Sequence, residues 1–562
     1  MTTESTHDYA ARVLDPAGDI PLGLDRISGG VSLDGSRIPH VESEITVAVP
    51  DAALLEQLDP RDSRRVVIDV RATFPIGTRQ RSFDLGIREA TPDRAGGTVT
   101  LRLASDEAIL MDYAQLVDDN GPRAHQASLR AVCNYVLGKI GAALQPGTLD
   151  ADVTAYWAVT NLVTNPRLAN DAGSWLVGSG ASAGARVVMS APLPPIGNTA
   201  FRWTAAAGES NVVPLSTRFR VTPGKWYVFS AYICSGTARQ ARAAIQWWSA
   251  GNVLSSTTFG APIASDVTAF RRVSVIAQCP PGAEEVVPYI STLANASGNL
   301  HYVSCAMFHE GNELVPYGDG ATAPGAGYTW AWQGNPHAST STRTPVIERR
   351  PETLLWTAGV SGMAFLEVLL KSAGLRLVCD EQRRWTLRDA DYRANGAQSY
   401  RHAVNIETAD ERLSRDEADW YDAAVYDYVW VDAAGIQHRR QDTYALHTPP
   451  SKVLRVELTD TPFPGPGRAQ HIVERAQGRG RTVTVSAIPS WLEQTDQPLS
   501  ILLEGTPIQT GIAGSIRFNF SNDTVTASSR TTDTPASAWE LIPSGESWLD
   551  SPAGASWIGE VI

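Results

Sequence analysis

The chain has 562 residues and a formal net charge of −13; 43% of its residues are hydrophobic and 19% are charged. This balance is that of a folded protein and excludes long disorder, and the acidic charge argues against nucleic-acid binding, which needs a basic surface to displace counterions from phosphates. At about 150 residues per domain, the length predicts roughly four domains.

The N-terminal segment 1–19 is polar and acidic. It lacks the basic start and apolar core of a secretion signal, and no stretch of the sequence approaches the ~20 apolar residues of a membrane span. We therefore expect a protein that folds in the cytoplasm, has no membrane span, and leaves the cell by lysis or within a particle.

Short strands dominate the first part of the chain, 1–125. Apolar and polar residues alternate in segments 44–49, 82–87 and 98–103, and segment 66–70 is rich in Val and Ile. A period of two residues predicts β-strands with one buried face. The number and spacing of these strands are typical of a small antiparallel barrel or sandwich.

Two amphipathic helices are predicted far apart in the sequence. Apolar residues recur at helical spacing in 128–140 and again in 362–373, where a β-hairpin follows at 375–387. We interpret the two helices as halves of one α+β domain, formed by 126–157 and 341–400. The intervening chain would then be an inserted module, which requires only that its two ends lie close together.

The intervening block, 158–340, differs in composition from the chain before it. Residues 1–156 contain no tryptophan, whereas residues 157–340 contain eight, and predicted strands are dense in the same stretch. The eight are Trp157, Trp175, Trp203, Trp226, Trp247, Trp248, Trp330 and Trp332. No helical pattern interrupts these strands. The block therefore predicts an all-β sandwich of the jelly-roll type.

Residues 401–530 are again strand-like, with a helix predicted at 468–476, and we interpret them as a second barrel. The C-terminal segment 531–562 carries Trp539, Trp548 and Trp557 at a spacing of nine residues. Evenly spaced large aromatic residues indicate a tail that docks through successive tryptophan anchors. It can dock on its own subunit or on a neighbouring one.

The five cysteines are an odd number, and no two of them form a C-x-x-C pair, so zinc and redox motifs are absent. We interpret them as buried free thiols, since free cysteine is a common core residue. A disulfide among those of the middle region stays open. The five are Cys133, Cys234, Cys279, Cys305 and Cys379.

Three runs of residues carry a resemblance to known families. The run Thr-Asn-Leu-Val-Thr-Asn-Pro-Arg-Leu at 160–168, followed by Gly-Ser-Trp at 173–175, resembles the opening of jelly-roll carbohydrate-binding modules. The closing runs at 314–320 and 328–341 are similar to the module boundary of minor tail proteins from phages of actinobacteria. The surrounding chain resembles the baseplate or tail-hub family in its element order and in the helix and hairpin at 362–388.

The resemblance implies a mainly β fold, in which hub-type β-barrels and small α+β domains carry an inserted jelly-roll β-sandwich. It implies a homotrimer at the tail tip of the virion, beneath the distal tail protein, near the end of the tape measure protein and beside other tail-tip proteins. The sandwich would project toward host cell-wall polysaccharide. The implied domains are an N-terminal hub barrel (1–125), a split α+β hub domain (126–157 and 341–400), the inserted module (158–340), a second hub barrel (401–530) and the C-terminal tryptophan tail (531–562).

Two short motifs suggest catalysis, but neither has the context that it needs. Residues 180–184 fit G-x-S-x-G, yet their Gly, Ser and Ala flanks predict a loop, whereas a nucleophile elbow needs a strand before it and a helix after it. His309-Glu310 begins like a zinc-protease motif, but Glu313 stands where the second histidine should be. We therefore predict no catalytic residues.

An aromatic site on the sandwich is the better candidate. Alternation in 245–248 places Ile245 and Trp247 on one face of a strand and Gln246 and Trp248 on the other. Sugars bind to flat aromatic faces flanked by a few polar groups. We predict a glycan-binding face formed by Trp248, Gln246, Arg272 and Tyr289, although each of these aromatic residues could instead belong to the core.

Related modules often hold a structural calcium ion through oxygen ligands. Asp171 and Asp319 are the two positions that we name as possible calcium ligands, and we predict no other cofactor.

Three functional interpretations follow from the sequence. The favoured one is a tail hub whose insertion binds host glycan. The second is the same hub with a purely structural sandwich that contacts other tail proteins. The third is a virion-associated cell-wall hydrolase.

Overall fold

The computed structural model describes residues 5–15, 18–48, 52–414, 420–432, 437–476, 481–506 and 508–533. Its secondary structure is 48% strand and 11% helix, which confirms the mainly β fold class predicted from the alternating segments. The C-terminal tryptophan repeat lies outside the described residues, and its docking stays a prediction.

The N-terminal region forms a closed antiparallel barrel. Its strands are β1 (Thr6–Val13), β2 (Ile20–Asp34), β3 (Val41–Ala48), β4 (Arg65–Phe74), β5 (Gly77–Asp93) and β6 (Thr98–Ala104), with helix α1 (Ala52–Gln57) between β3 and β4. The pairing order β1–β4–β5–β6–β3–β2 closes because β2 also pairs with β1. Inward-facing side chains such as Val41, Ile45 and Val47 are fully buried, as the period of two requires.

Two helices follow the barrel, α2 (Glu107–Asp112) and α3 (Leu129–Gly138). The helix predicted at 128–140 is confirmed. It begins where the Ser128 Oγ accepts a hydrogen bond from the Ala131 backbone N–H, which satisfies one of the free donors at a helix start. Its buried face includes Leu129, Val132 and Val136.

The tryptophan-rich block then folds as a β-sandwich. Its strands and those at its ends are β7 (Val159–Asn161), β8 (Leu176–Val177), β9 (Ala181–Val188), β10 (Thr199–Ala205), β11 (Gly208–Val213), β12 (Phe219–Arg220), β13 (Trp226–Ser235), β14 (Gln240–Ser249), β15 (Val253–Phe259), β16 (Ile263–Ala264), β17 (Arg271–Gln278), β18 (Ala283–Asn295), β19 (Leu300–Glu310), β20 (Tyr328–Trp332) and β21 (Ser341–Pro345).

One sheet of the sandwich has five strands in the order β17–β13–β19–β10–β9. The other has seven, in the order β15–β14–β18–β11–β8, with β16 paired to β14 and β12 paired to β18. The core between them contains large, fully buried aromatic side chains, among them Trp203, Trp247, Phe229 and Phe308. All the buried residues of this core lie between 163 and 308.

The G-x-S-x-G run does not form the predicted loop. It enters β9, where Ser182 pairs with Thr204 of β10. Pairing with a neighbouring strand overrides the loop-like composition of this segment. All five cysteines are free and buried, which confirms their interpretation as core thiols.

The two ends of the sandwich segment lie side by side. Strand β7 pairs antiparallel with β21, so that Asn161 stands opposite Ser341 and Thr160 opposite Thr342. The chain therefore leaves the scaffold and returns to it at adjacent positions.

A single core joins the chain on both sides of the insertion. It receives α3 from before the sandwich, and α4 (Gly362–Ser372), β22 (Arg376–Cys379) and β23 (Trp385–Arg388) from after it. The second predicted helix and its hairpin are thus confirmed. Trp356 and Leu366 pack in this core with Leu129 and Val136.

The remaining strands correct the prediction of one second barrel over 401–530. They are β24 (Gln398–Arg401), β25 (Ile406–Leu413), β26 (Ala423–Val431), β27 (Gln437–Ala445), β28 (Val453–Thr459), β29 (Arg481–Ala487), β30 (Pro498–Leu502), β31 (Gln509–Asn519) and β32 (Thr524–Asp533), with helix α5 (Arg468–Ala476).

Strands β26, β27 and β28 form their own sheet and pack against α5 around a separate core. The strands β25 and β29–β32 instead join the sheet of the N-terminal barrel, because β31 pairs with β2. An alternating pattern predicts a strand but does not select its partner. The prediction of one barrel over 401–530 therefore combined two separate units.

Close contact between β2 and β31 depends on a residue without a side chain. A Cβ added at Gly30 would lie 2.0 Å from the backbone carbonyl oxygen of Phe518. We expect Gly30→Ala to lower the free energy of unfolding by about 1–3 kcal/mol, as overpacking typically does, measured by urea unfolding. Gly86→Ala in β5 is the matched control, since its Cβ would meet no atom closer than 3.7 Å. Equal stability of the two variants would contradict the close pairing.

Candidate functional site

Three of the four predicted glycan-binding residues share the outer face of the seven-stranded sheet. In β14, Ile245 and Trp247 are fully buried in the core, and Gln246 and Trp248 point outward and are half-buried, which confirms the predicted alternation. Tyr289 of β18 pairs with Ala244 and lies on the same outer face. Its side chain is buried, and burial together with the nearby carboxylate of Glu209 raises its pKa.

Arginine side chains cover the aromatic rings of this face. The guanidinium of Arg218 lies 3.8 Å from the ring centre of Trp248, and that of Arg242 lies 3.7 Å from the ring centre of Phe259. Such cation–π contacts are attractive by about 0.5–1 kcal/mol at exposed sites. A sugar that stacks on either ring must therefore displace the guanidinium over that ring. Otherwise it can bind only to the outer edge of the guanidinium.

Two carboxylates hold these arginines in place. Glu285 lies 3.3 Å from Arg218, and Glu209 lies 3.3 Å from Arg242. Glu209 also accepts a hydrogen bond of 2.5 Å from the Ser291 hydroxyl. The face thus consists of paired arginine and glutamate side chains that lie over aromatic rings. It can offer both hydrogen-bond donors and acceptors to a hydroxylated ligand.

Arg272 does not belong to this face, and its grouping with Trp248 is wrong. It lies in β17, on the outer side of the five-stranded sheet. Its Nη2 donates to the Ser230 hydroxyl at 2.9 Å and to the Val315 carbonyl at 2.7 Å, which ties the loop after β19 to the sheet. Alternation shows that a residue faces outward but does not show which sheet its strand joins.

The two predicted calcium ligands are engaged within the protein. The carboxylate of the fully buried Asp319 lies 2.6 Å from Arg167 Nε and accepts a hydrogen bond of 2.8 Å from the Tyr317 hydroxyl. Asp171 accepts hydrogen bonds from the Gly173 backbone and the Asn165 side chain.

Within the ranges that the structure describes, no three His, Cys, Asp or Glu side chains are grouped as metal ligands. A guanidinium already neutralises Asp319, so Asp319 does not fit as a calcium ligand. Asp319 therefore belongs to a buried ion pair, and calcium binding at Asp171 stays a prediction.

Sequence reasoning missed Arg242, Phe259, Glu209 and Arg218 on the outer face. Arg242 could have been found, because it stands four residues before Gln246 on one strand and so shares its face. Arg218 could not, because it reaches Trp248 from outside β14.

Likeness to known proteins is weak and purely structural. No family profile matches the chain, and no curated protein sequence is significantly similar to it. The 43 kDa tail protein of prophage MuSo2 from Shewanella oneidensis aligns over 92% of this chain and 98% of its own, at 9% identity and a TM-score of 0.38. The tail protein from Neisseria meningitidis MC58 aligns over 92% and 95%, at 8% identity and a TM-score of 0.34.

Other solved structures align over little more than a quarter of the chain. The CBM22-1 xylan-binding domain of Paenibacillus barcinonensis Xyn10C aligns over 28% of this chain and 98% of its own, at 7% identity and a TM-score of 0.22. The chain spans only 21% of the enzymatically active domain of tailspike protein 4 from bacteriophage CBA120, at 12% identity and a TM-score of 0.22. Since all these TM-scores lie below 0.5, the function has to be inferred from the residues and their geometry.

In the part of the chain that the structure describes, every helix is too short or too polar to cross a membrane.

Proposed function

We propose that the chain is a structural component of a phage tail tip, and that its inserted sandwich binds host cell-surface glycan without cleaving it. In this proposal the barrel and the strands joined to it form the hub that closes the tail tube. The partners are two further copies of the chain, the distal tail protein, the tape measure protein and other tail-tip proteins. The protein would reside in the virion.

The observation that carries the proposal is the insertion itself. A sandwich with its own core leaves and re-enters the scaffold through the paired strands β7 and β21. Such an arrangement lets a binding module be added to a scaffold without disturbing the core of the scaffold. The sequence runs at 160–175 and 314–341, which resemble modules and module boundaries of tail proteins, lie in and beside this sandwich.

The assembly part of the proposal is tested by the mass of the full chain in solution. We expect a mass three times that of one chain, or threefold density in particle images. A monomer at all concentrations would overturn the trimeric hub.

The glycan part is tested on the outer face of the seven-stranded sheet. We expect the full chain to bind purified host-wall polysaccharide, and the double variant Gln246→Ala, Trp248→Ala to bind at least tenfold more weakly, equivalent to about 1.4 kcal/mol. The control is Ile276→Ala, which removes an exposed side chain from the outer face of the opposite sheet. Affinity is measured by surface plasmon resonance on immobilised polysaccharide.

The arginines over Trp248 and Phe259 favour a second candidate, in which the sandwich is purely structural and contacts other tail proteins through this charged face. Retention of the wild-type chain on polysaccharide contradicts this alternative. Absence of retention for the wild-type chain, with assembly intact, supports it and contradicts glycan binding.

A further inference from the structure

A second concave site lies where the sandwich meets the scaffold. It is a cavity of about 640 Å³, within the usual size range of small-molecule sites. Its walls come from the segment entering the sandwich, from the ends of β13 and β19, from the chain around the 3-10 turn Pro351–Leu354, and from β27. The residues that matter for its chemistry are Trp157, Trp226, His309, Arg350 and Glu352.

His309 brings an unsatisfied acceptor to this cavity. The imidazole is only 2% exposed, and its Nδ1 lies 3.1 Å from the backbone carbonyl of Glu310. A carbonyl can only accept, so Nδ1 carries the hydrogen and Nε2 presents a lone pair. Burial lowers the pKa of His309 to about 4, which keeps the ring neutral. Nε2 is buried and has no hydrogen-bond partner among the described residues.

Two further polar atoms in the cavity wall are also buried without a hydrogen bond within the described chain. Arg350 Nε and Glu352 Oε2 are 3.5 Å apart as an ion pair, yet both are buried and neither makes a hydrogen bond within the described chain. A buried polar atom that makes no hydrogen bond is unfavourable, and an ion pair at this distance offsets that cost only in part. The cavity thus offers an acceptor, a donor and a second acceptor for a ligand to satisfy.

Charged groups of both signs line the cavity, and several of them are already paired. Lys225 lies 2.6 Å from Glu310, and Glu313 forms an ion pair with Arg123. Two aromatic rings, Trp157 and Trp226, also line the space. Balanced charge disfavours a strongly charged ligand, and aromatic rings suit the C–H faces of a sugar.

We propose that this cavity binds a neutral mono- or disaccharide. Sugar hydroxyls both donate and accept, so they can satisfy His309 Nε2, Arg350 Nε and Glu352 Oε2 together. The site is distinct from the outer sheet face, and the proposal does not depend on the glycan function assigned to that face.

The test uses a matched pair of substitutions at His309 in the full chain. His309→Gln places an amide near the position of Nε2, whereas His309→Asn places it near Nδ1 and leaves the cavity side without an acceptor. The probes are glucose, galactose, N-acetylglucosamine and chitobiose at millimolar concentration, measured by isothermal titration calorimetry. We expect wild type and His309→Gln to bind at least one probe, and His309→Asn to bind it at least tenfold more weakly.

A second set of variants separates this site from the outer face. Glu352→Gln, which is nearly isosteric, should also weaken binding, whereas Ile276→Ala, which lies outside both sites, should leave it unchanged. In Trp248→Ala, binding in the cavity should persist. No binding of any probe by the wild-type chain overturns the proposal, as does equal binding by wild type, His309→Asn and Glu352→Gln. Loss of probe binding in Trp248→Ala alone would place the sugar on the outer face and likewise overturn it.

Discussion

Replacement of Asp496 by asparagine should lower the free energy of unfolding by about 3–5 kcal/mol, the usual cost of breaking a buried ion pair from one side. Asp496 is 1% exposed and stands where the barrel sheet meets the β22–β23 hairpin. Arg376 pairs with it, and Arg388 and Arg530 each lie 3.4 Å away. The substitution leaves three guanidinium groups around a neutral amide. Urea unfolding of the full chain measures the loss.

The exposed Asp391 provides the control, since Asp391→Asn removes the same charge from the surface of the same region. We expect this variant to unfold like the wild type. Equal stability of the two variants would show that Asp496 does not balance the charges of Arg376, Arg388 and Arg530.

The same residue predicts a dependence of stability on pH. Burial alone would raise the pKa of Asp496, but Arg376, Arg530 and Arg388 outweigh burial and hold the pKa below its ordinary value. A carboxylate with a lowered folded-state pKa contributes stability above its unfolded pKa, about 3.9, and loses it as the pH falls through the folded value. The stability difference between wild type and Asp496→Asn should therefore shrink as the pH falls below about 4.

Excision of the sandwich is the second large change that the structure allows. Asn161 and Ser341 stand directly opposite each other in paired strands, at a Cα separation of about 5 Å. Removing 162–340 and joining the ends through an Asn-Gly turn should convert β7 and β21 into a simple hairpin. We expect a scaffold that still folds and assembles, because the core shared by α3 and α4 has no buried member from the excised segment.

The excised scaffold should lose retention on host-wall polysaccharide completely while it keeps its cooperative thermal unfolding, followed by circular dichroism. A cut inside the sandwich is the control: deleting 236–340 leaves β8–β13 without most of their partners and should produce an aggregated protein. Collapse of the cleanly excised scaffold would contradict the insertion, and with it the proposed function.

Much of the candidate site could be predicted from residues near each other in sequence. The outward position of Gln246 and Trp248 follows from alternation within β14 alone. The placement of Arg272 and the role of Asp319 could not be predicted in this way. One depends on which sheet β17 joins, and the other on Arg167, which approaches from a distant part of the chain.

The sequence by itself determined the local elements and their buried faces. It specified α3, α4 and α5 to within a few residues, the tryptophan-rich sandwich, and the free thiols of the core. These features depend on helical or strand periodicity and on composition, which neighbouring residues express without reference to the rest of the chain.

Only the tertiary structure decided which strands pair and which charges meet. It joined β31 to β2, separated β26–β28 as a unit with α5, and placed Arg218 over Trp248. It also formed the cavity around His309 from segments far apart in sequence. Strand register and ion pairing are set by contacts between distant segments, and a periodic pattern in one segment carries no information about its distant partner.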